Sequence, residues 1–113
     1  MEIAPVIIFT YNRLEHTKQT IEALMENYLA DKSDIYIFSD GPKGEIDEKE
    51  VSNIRQYINS LMGFKSITIV ESKSNNGLAN SVIQGVTEVI NKYGKAIVLE
   101  DDIVTSRYFL TQL

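Results

Sequence analysis

Short apolar runs alternate with longer amphipathic stretches along most of the chain. Runs rich in β-branched residues predict four buried β-strands, at residues 5–10, 34–39, 66–70 and 95–99. Between them, apolar residues recur at helical spacing and predict three helices, at residues 14–29, 48–62 and 78–93. Residues 106–113 favour the start of a further helix. The pattern therefore alternates strand and helix along the chain.

Polar residues and glycines mark the expected helix boundaries. Asn12 and Asp47 stand where N-terminal caps of the first and second helices are expected. Gly63 and Gly94 follow the second and third helices, and glycine often ends a helix because it readily adopts a left-handed backbone conformation.

Strands that alternate with helices of this length build βαβ units, which give a parallel sheet with right-handed crossovers. We therefore expect an α/β fold with a Rossmann-like, three-layer arrangement and the strand order 3-2-1-4. One domain would span residues 1–113. In such folds a ligand binds beyond the carboxyl ends of the strands, where the strand order reverses. The residues that follow the strands are therefore the first candidates for a site.

The composition narrows the classes of function. With 113 residues, of which 43% are hydrophobic and 24% charged, the chain resembles a soluble globular domain. Its 16 acidic and 11 basic residues give a formal net charge of −5, so a nucleic-acid backbone is a poor partner. The sequence has no cysteine, which excludes disulfides and thiolate metal sites. No apolar stretch reaches the roughly 20 residues that span a bilayer, and we expect a cytoplasmic protein.

Three consecutive carboxylates, Glu100, Asp101 and Asp102, follow the fourth predicted strand. They repel one another unless a positive charge lies among them. A hard cation such as Mg²⁺ or Mn²⁺ takes oxygen ligands and keeps positions open for phosphate oxygens. The alternative is a solvated acidic turn, which is common after a strand. The triplet is thus a candidate metal site with an ordinary surface turn as its rival.

Arg13 and Asp40 follow the first and second predicted strands. A forked guanidinium suits phosphate, so Arg13 and a bound cation together would neutralise a diphosphate. The alternative for Arg13 is a helix-start arginine that pairs with a nearby glutamate. Asp40 is a candidate acceptor for a base N–H, and an ordinary turn aspartate is its alternative. The sequence has neither a glycine-rich dinucleotide fingerprint nor a Walker-type loop, so those two phosphate sites are not supported.

Four segments together resemble one enzyme family. They are the opening Pro-Val-Ile-Ile-Phe-Thr-Tyr-Asn-Arg, the strand Ile-Tyr-Ile-Phe-Ser-Asp-Gly, the loop Asn-Asn-Gly-Leu-Ala-Asn-Ser and the strand Ala-Ile-Val-Leu-Glu-Asp-Asp. In this order and spacing they resemble the nucleotide-sugar glycosyltransferases of the A-type fold. Within that group the chain as a whole is most similar to bacterial glycosyltransferase family 2. The Glu-Asp-Asp spelling and the arginine after the first strand are also similar to N-acetylglucosaminyltransferase I. The resemblance covers essentially the whole chain, as the nucleotide-binding half of that fold.

The resemblance implies a role for each residue after the first two strands. Thr10, Tyr11 and Asn12 would line a uridine pocket. Asp40 would contact the uracil, and Arg13 would face the nucleotide near its phosphates.

It also implies roles for the third loop and the acidic triplet. Asn76 and Gly77 stand where the family's third loop approaches the nucleotide. Asp102 would coordinate Mn²⁺ or Mg²⁺, and Asp101 would approach the ribose or the sugar. Glu100 occupies the first acidic position, where the family usually has aspartate, and would be the weaker metal ligand.

The activity that the resemblance implies is metal-dependent transfer of a sugar from a UDP-sugar donor to an acceptor hydroxyl, with inversion. The acceptor would be a saccharide or a lipid-linked molecule, as in bacterial polysaccharide biosynthesis. Members of the family continue beyond the metal motif into an acceptor-binding half that carries the general base. We therefore expect the nucleotide-binding part of a longer transferase, membrane-associated through its other parts, with no candidate catalytic base within this chain. An unpaired edge on the fourth strand would favour self-association.

Two other classes of protein fit parts of the pattern. A response-regulator-like receiver is also a small acidic α/β domain, but its acid pair follows the first strand, where this chain has Thr10, Tyr11 and Asn12. A non-catalytic α/β interaction module would carry the acidic triplet as surface only. Mn²⁺-dependent UDP binding would select the transferase, and phosphorylation by acetyl phosphate would select the receiver. The absence of both responses would select the interaction module.

Overall fold

The structure is a computed structural model that describes residues 3–100, with the side chain of Glu100 excepted. The strands in this part of the chain are β1 (Val6–Thr10), β2 (Asp34–Ser39), β3 (Ser66–Glu71) and β4 (Ile97–Glu100). The helices are α1 (Leu14–Met25), α2 (Glu48–Ile58) and α3 (Leu78–Tyr93), and a short 3₁₀ helix (Ala30–Lys32) lies between α1 and β2.

The four described strands form one parallel sheet in the order β3-β2-β1-β4. Ile8 of β1 lies opposite Ile37 of β2 on one side and opposite Leu99 of β4 on the other. The predicted α/β class and the strand order 3-2-1-4 are confirmed, and they are consistent with a Rossmann-like fold. The order reverses between β1 and β4, so the ligand-binding crevice of such folds lies at the carboxyl ends of these strands.

The core occupies both faces of the sheet, and β1 runs through its centre with every residue buried. Successive side chains of a strand point to opposite faces. On one face Ile8 and Ile37 pack with apolar residues of α1 and α2. On the other face Ile7 and Phe9 pack with Val89 of α3. This double burial explains why β1 is an almost continuous apolar run.

The N-terminal cap predicted at Asn12 is wrong. α1 begins at Leu14, and Arg13 occupies the N-cap position. An arginine side chain has no acceptor atom to offer the free N–H groups of a first helical turn. The first helical hydrogen bond runs from Thr17 N to the carbonyl of Arg13 at 2.9 Å. Asn12 is therefore left in the loop that connects β1 to α1.

The first two helices are shorter than predicted. α1 ends at Met25 instead of residue 29, and α2 ends at Ile58 instead of residue 62. The N–H and the hydroxyl of Ser60 both donate to the carbonyl of Tyr57, at 3.1 and 2.6 Å, and this bonding tightens the chain into a final turn. As a consequence Met62, predicted on the apolar face of the second helix, is 76% exposed.

No helix in the described part of the chain has the length and apolar character needed to cross a membrane. Within residues 3–100, β4 pairs with β1 only. Self-association through that edge stays a prediction. The helix start predicted at residues 106–113 lies outside the described residues.

Candidate functional site

A cavity of about 330 Å³ opens at the carboxyl ends of β1 and β2. Several residues of its wall were predicted from the sequence as nucleotide-binding: Thr10, Tyr11, Asn12, Arg13, Asp40 and Gly77. Thr10 ends β1, and the others belong to the three loops that follow β1, β2 and β3. The structure thus brings these loops together at one cavity, although they are far apart in the sequence.

Thr10, the last residue of β1, is buried and ties the strand to its surroundings. Its Oγ1 lies 2.7 Å from Oγ1 of Thr17 in α1. Its carbonyl oxygen accepts a hydrogen bond from the backbone N–H of Asp40 at 2.9 Å. The first and second loops are therefore joined at the base of the cavity.

Asp40 is 8% exposed, and its carboxylate reaches across to the third loop. Oδ1 accepts hydrogen bonds from the backbone N–H groups of Gly41 and Asn76, both at 2.9 Å. Oδ2 accepts one from the N–H of Gly77 at 3.1 Å. A carboxylate with so little exposure needs such donors, because burial without them is costly. Asp40 therefore positions the third loop, and it is also one of the residues that line the cavity.

Arg55 of α2 braces the same two loops from the helix side. Its Nη2 donates to the carbonyl oxygens of Ser39, Asp40 and Ser72, at 3.2, 3.3 and 2.7 Å. Its Nε donates to Oγ of Ser39 at 3.0 Å. One guanidinium thus holds the ends of β2 and β3 together. The sequence offered no sign of this role, because an arginine on an amphipathic helix is usually solvated.

Gly41 allows the second and third loops to touch backbone to backbone. A Cβ at this position would lie 2.6 Å from the carbonyl carbon and oxygen of Ser74, and 2.8 Å from the carbonyl oxygen of Ser72. These are backbone atoms, so they cannot rotate away as a side chain would. Any larger residue at position 41 would therefore push the loops apart.

Tyr11 is held in place by Asp47, which precedes α2. The Tyr11 hydroxyl donates a hydrogen bond to Oδ2 of Asp47. The same carboxylate accepts hydrogen bonds from the N–H groups of Lys43 and Gly44, at 3.0 and 3.1 Å. The Lys43 N–H is the main cause that holds the pKa of Asp47 below its ordinary value, and burial opposes it. Asp47 occupies the predicted N-cap position, yet its side chain binds the preceding loop and not the helix.

An aromatic surface forms one wall of the cavity. The rings of Phe9 and Phe38 are stacked, with their centroids 5.4 Å apart and an angle of 24° between their planes. Gly85 of α3 makes room for them, since a Cβ there would lie 2.9 Å from Cε1 of Phe9 and 3.1 Å from Cε2 of Phe38. A flat ligand ring would find apolar surface here.

The sequence did not single out half of the cavity wall. The unpredicted residues are Phe9, Phe38, Lys43, Asn75, Leu78 and Ser81. Two signals were available for the phenylalanines. Each phenylalanine stands next to the last residue of its strand. Gly85 lies in the middle of a predicted helix, and a glycine at such a position often marks a close contact.

The acidic triplet begins beside the cavity. Glu100, the last residue of β4, lies opposite Phe9 in the strand register. The side chain of Glu100, and Asp101 and Asp102 altogether, lie outside the described part of the structure. Among the side chains that are described, no group of three or more histidine, aspartate or glutamate residues could hold a metal ion. The metal site at the triplet stays a prediction.

Asn76 takes part in the site through its backbone. Its N–H donates to Asp40, and its side-chain Nδ2 donates to Oγ of Ser72 at 3.2 Å. It therefore stabilises the third loop, and a contact between its side chain and a nucleotide stays a prediction.

No protein-family model matches the chain, and no curated protein matches its sequence significantly. The cavity combines an aromatic wall with the cationic side chains of Arg13 and Lys43. This combination suits a ligand that carries both a flat ring and an anionic group.

Proposed function

We propose that this chain is the donor-binding domain of a metal-dependent glycosyltransferase that transfers a sugar from a UDP-sugar to an acceptor hydroxyl. The uracil lies against the aromatic wall near Asp40, and the diphosphate lies towards Arg13. Asp102, with help from Glu100, would hold a Mn²⁺ or Mg²⁺ ion, which would supply positive charge to the departing diphosphate. The acceptor is a saccharide or a lipid-linked molecule, and transfer proceeds with inversion, as the family resemblance implies.

The meeting of three strand-end loops at one cavity carries the proposal. In open α/β sheets, nucleotides bind beyond the carboxyl ends of the strands, near the point where the strand order reverses. The cavity lies at that edge, and its wall contains Tyr11, Asp40 and Gly77 from three separate loops. Glu100, the first residue of the acidic triplet, ends β4 opposite Phe9, one residue before the end of β1. Each observation supports a nucleotide with a nearby metal ion.

The two rival classes receive less support. A receiver domain has the strand order 2-1-3-4-5, with β1 between β2 and β3. Here β2 lies between β1 and β3, and the loop after β1 carries Tyr11 and Asn12 instead of acids. A non-catalytic interaction module has no need for a cavity at this edge of the sheet.

Thermal unfolding with and without UDP and Mn²⁺ tests the proposal. A ligand at about 100 times its Kd stabilises the folded state by about 2.7 kcal/mol. For a domain of this size that corresponds to a rise in Tm of about 10 °C. We expect this rise only when UDP and Mn²⁺ are both present, and a smaller one with ADP or GDP. No rise with UDP would contradict the proposal, and phosphorylation by acetyl phosphate would select the receiver class.

A cavity-filling variant links the shift to the site. Ser81 lines the cavity on α3, so Ser81→Phe should abolish the UDP-dependent rise in Tm. Asn91 is exposed on the same helix, and Asn91→Phe is the matched control, which should respond to UDP as the parent does.

A further inference from the structure

Lys43 lies in the loop after β2 and is one of the residues that line the cavity, together with Arg13 and Tyr11. Its Nζ lies 5.9 Å from the centroid of the Tyr11 ring. A contact of this kind between an exposed ammonium and an aromatic ring is weak. A ligand that enters the cavity can therefore replace this contact and interact with the ammonium, with the ring or with both.

The backbone from which Lys43 extends is held firmly. Asp47 accepts hydrogen bonds from the N–H groups of Lys43 and Gly44, at 3.0 and 3.1 Å, and from the hydroxyl of Tyr11. The carboxylate thus connects the loop that carries Lys43 to the loop that carries Tyr11. The position of the lysine relative to the cavity follows from these hydrogen bonds.

The charges at the cavity favour an anionic ligand. The chain as a whole carries a formal charge of −5, yet two cationic side chains, Arg13 and Lys43, line this cavity. Among the residues that the structure describes, the Tyr11 ring is the one contact of the Lys43 ammonium. The carboxylate of Asp40, on the same wall, is already compensated by three backbone N–H groups. The charged residues that line the cavity in the described part of the chain are therefore two cations and one carboxylate that backbone donors already compensate.

We propose that Lys43 binds the phosphate oxygens of a nucleoside diphosphate, as a second cation beside Arg13. A compact ammonium forms strong charge-assisted hydrogen bonds with phosphate, and the aromatic wall remains available to the base. This inference rests on the proposed function and deepens it, because it assigns one residue to the phosphates of the ligand. No sequence motif gives Lys43 this role. It predicts that Lys43 recognises the phosphates and contributes nothing to recognition of the base.

Isothermal titration with two probes, UDP and uridine, tests this in the presence of Mn²⁺. Uridine lacks the phosphates, so it reports the base site alone. Lys43→Met removes the charge and keeps most of the length of the side chain, and Lys43→Arg restores a cation. Lys65 is an exposed lysine before β3, at the other end of the sheet, so Lys65→Met is the control for the change in net charge.

We expect Lys43→Met to lower the affinity for UDP about tenfold, the effect of losing one charge-assisted hydrogen bond at an exposed side chain. The affinity for uridine should stay within about twofold, since no phosphate contact is involved. Lys43→Arg should recover most of the UDP affinity, and Lys65→Met should match the parent. Raising the ionic strength should narrow the difference between the parent and Lys43→Met, because salt screens an exposed charge.

Other outcomes overturn the inference in distinguishable ways. If Lys43→Met binds UDP as tightly as the parent, Lys43 has no phosphate contact, while the proposed function stands. If it loses UDP and uridine equally, Lys43 acts through Tyr11 and not on the phosphates. If the parent protein binds neither probe, the proposed function fails and the inference fails with it.

Discussion

The carboxylate of Asp40 accepts a hydrogen bond from the backbone N–H of Gly77, with 3.1 Å between Oδ2 and N. The bond joins the end of β2 to the start of α3, across two different loops. Gly77 has a φ of 83°, a conformation that glycine adopts without strain. The wall of the cavity therefore depends on the acceptors of one carboxylate and on the backbone freedom of one glycine.

Replacing that carboxylate by an amide should loosen the third loop. Asp40→Asn puts an NH₂ group where an oxygen now accepts an N–H, so at least one backbone donor loses its partner. We expect the free energy of unfolding to fall by about 1–3 kcal/mol, together with the affinity for UDP. Urea unfolding measures the first and titration the second. Asp31→Asn, at an exposed position of the 3₁₀ helix, is the control, and an Asp40→Asn variant as stable as Asp31→Asn would contradict this role.

Gly41 and Gly44 make a matched pair in one loop. Gly41→Ala would place a Cβ 2.6 Å from backbone atoms of Ser74, whereas a Cβ at Gly44 has nothing within 4 Å. We expect Gly41→Ala to destabilise the protein by about 1–3 kcal/mol through overpacking. Gly44→Ala should leave the unfolding free energy close to that of the parent. Equal effects of the two substitutions in urea unfolding would show that the close approach of the loops is unimportant.

Arg55 should stabilise the protein through the several hydrogen bonds that its planar guanidinium donates, and not through its charge alone. Arg55→Lys keeps the charge but cannot donate to Ser39 and Ser72 in the same geometry. We expect a loss of about 1.5–3 kcal/mol in the free energy of unfolding. Affinities for UDP and uridine should fall together, because the whole cavity wall shifts. Gln56→Ala, at the exposed neighbouring position, is the control. A fully stable Arg55→Lys variant would show that the charge alone suffices.

Asp47 should make the stability of the protein depend on acidic pH. Its pKa in the folded state is lowered from an ordinary value of 3.8, so its carboxylate contributes stability at neutral pH. That contribution is lost as the pH falls below the ordinary value and through the folded-state pKa. Urea midpoints measured at about pH 7 and about pH 3 should therefore fall more for the parent than for Asp47→Asn, which does not titrate in this range. Parallel pH profiles for the two proteins would rule out this contribution.

Asp102 is the proposed metal ligand on which the proposed function depends most. Asp102→Asn keeps the shape of the side chain and removes one negative charge from the surroundings of the cation. We expect it to lower Mn²⁺-dependent UDP affinity by more than about tenfold, with little change in Tm. Glu100→Gln should have a smaller effect. If titration finds that Asp102→Asn binds UDP and Mn²⁺ as well as the parent, the metal assignment is wrong.

Much of the fold was predictable because its signals are local and periodic. The second strand was predicted at residues 34–39 and the third helix at residues 78–93, and both match the observed β2 and α3. The positions of Thr10 and Asp40 at one edge also followed from the sequence, since parallel strands end on the same side of a sheet. Helix ends were less predictable, because local hydrogen bonds such as the two from Ser60 to the Tyr57 carbonyl compete with continued helix after Ile58.

The sequence by itself thus determined which residues stand at the ends of the strands. Only the tertiary structure decided which of them support one another. Arg55 reaches Ser72, and Asp40 reaches Asn76, across loops whose contact depends on strand register and on the missing side chain of Gly41. Such pairs repeat with no period and follow no spacing rule, because what brings their atoms together is the path of the folded backbone.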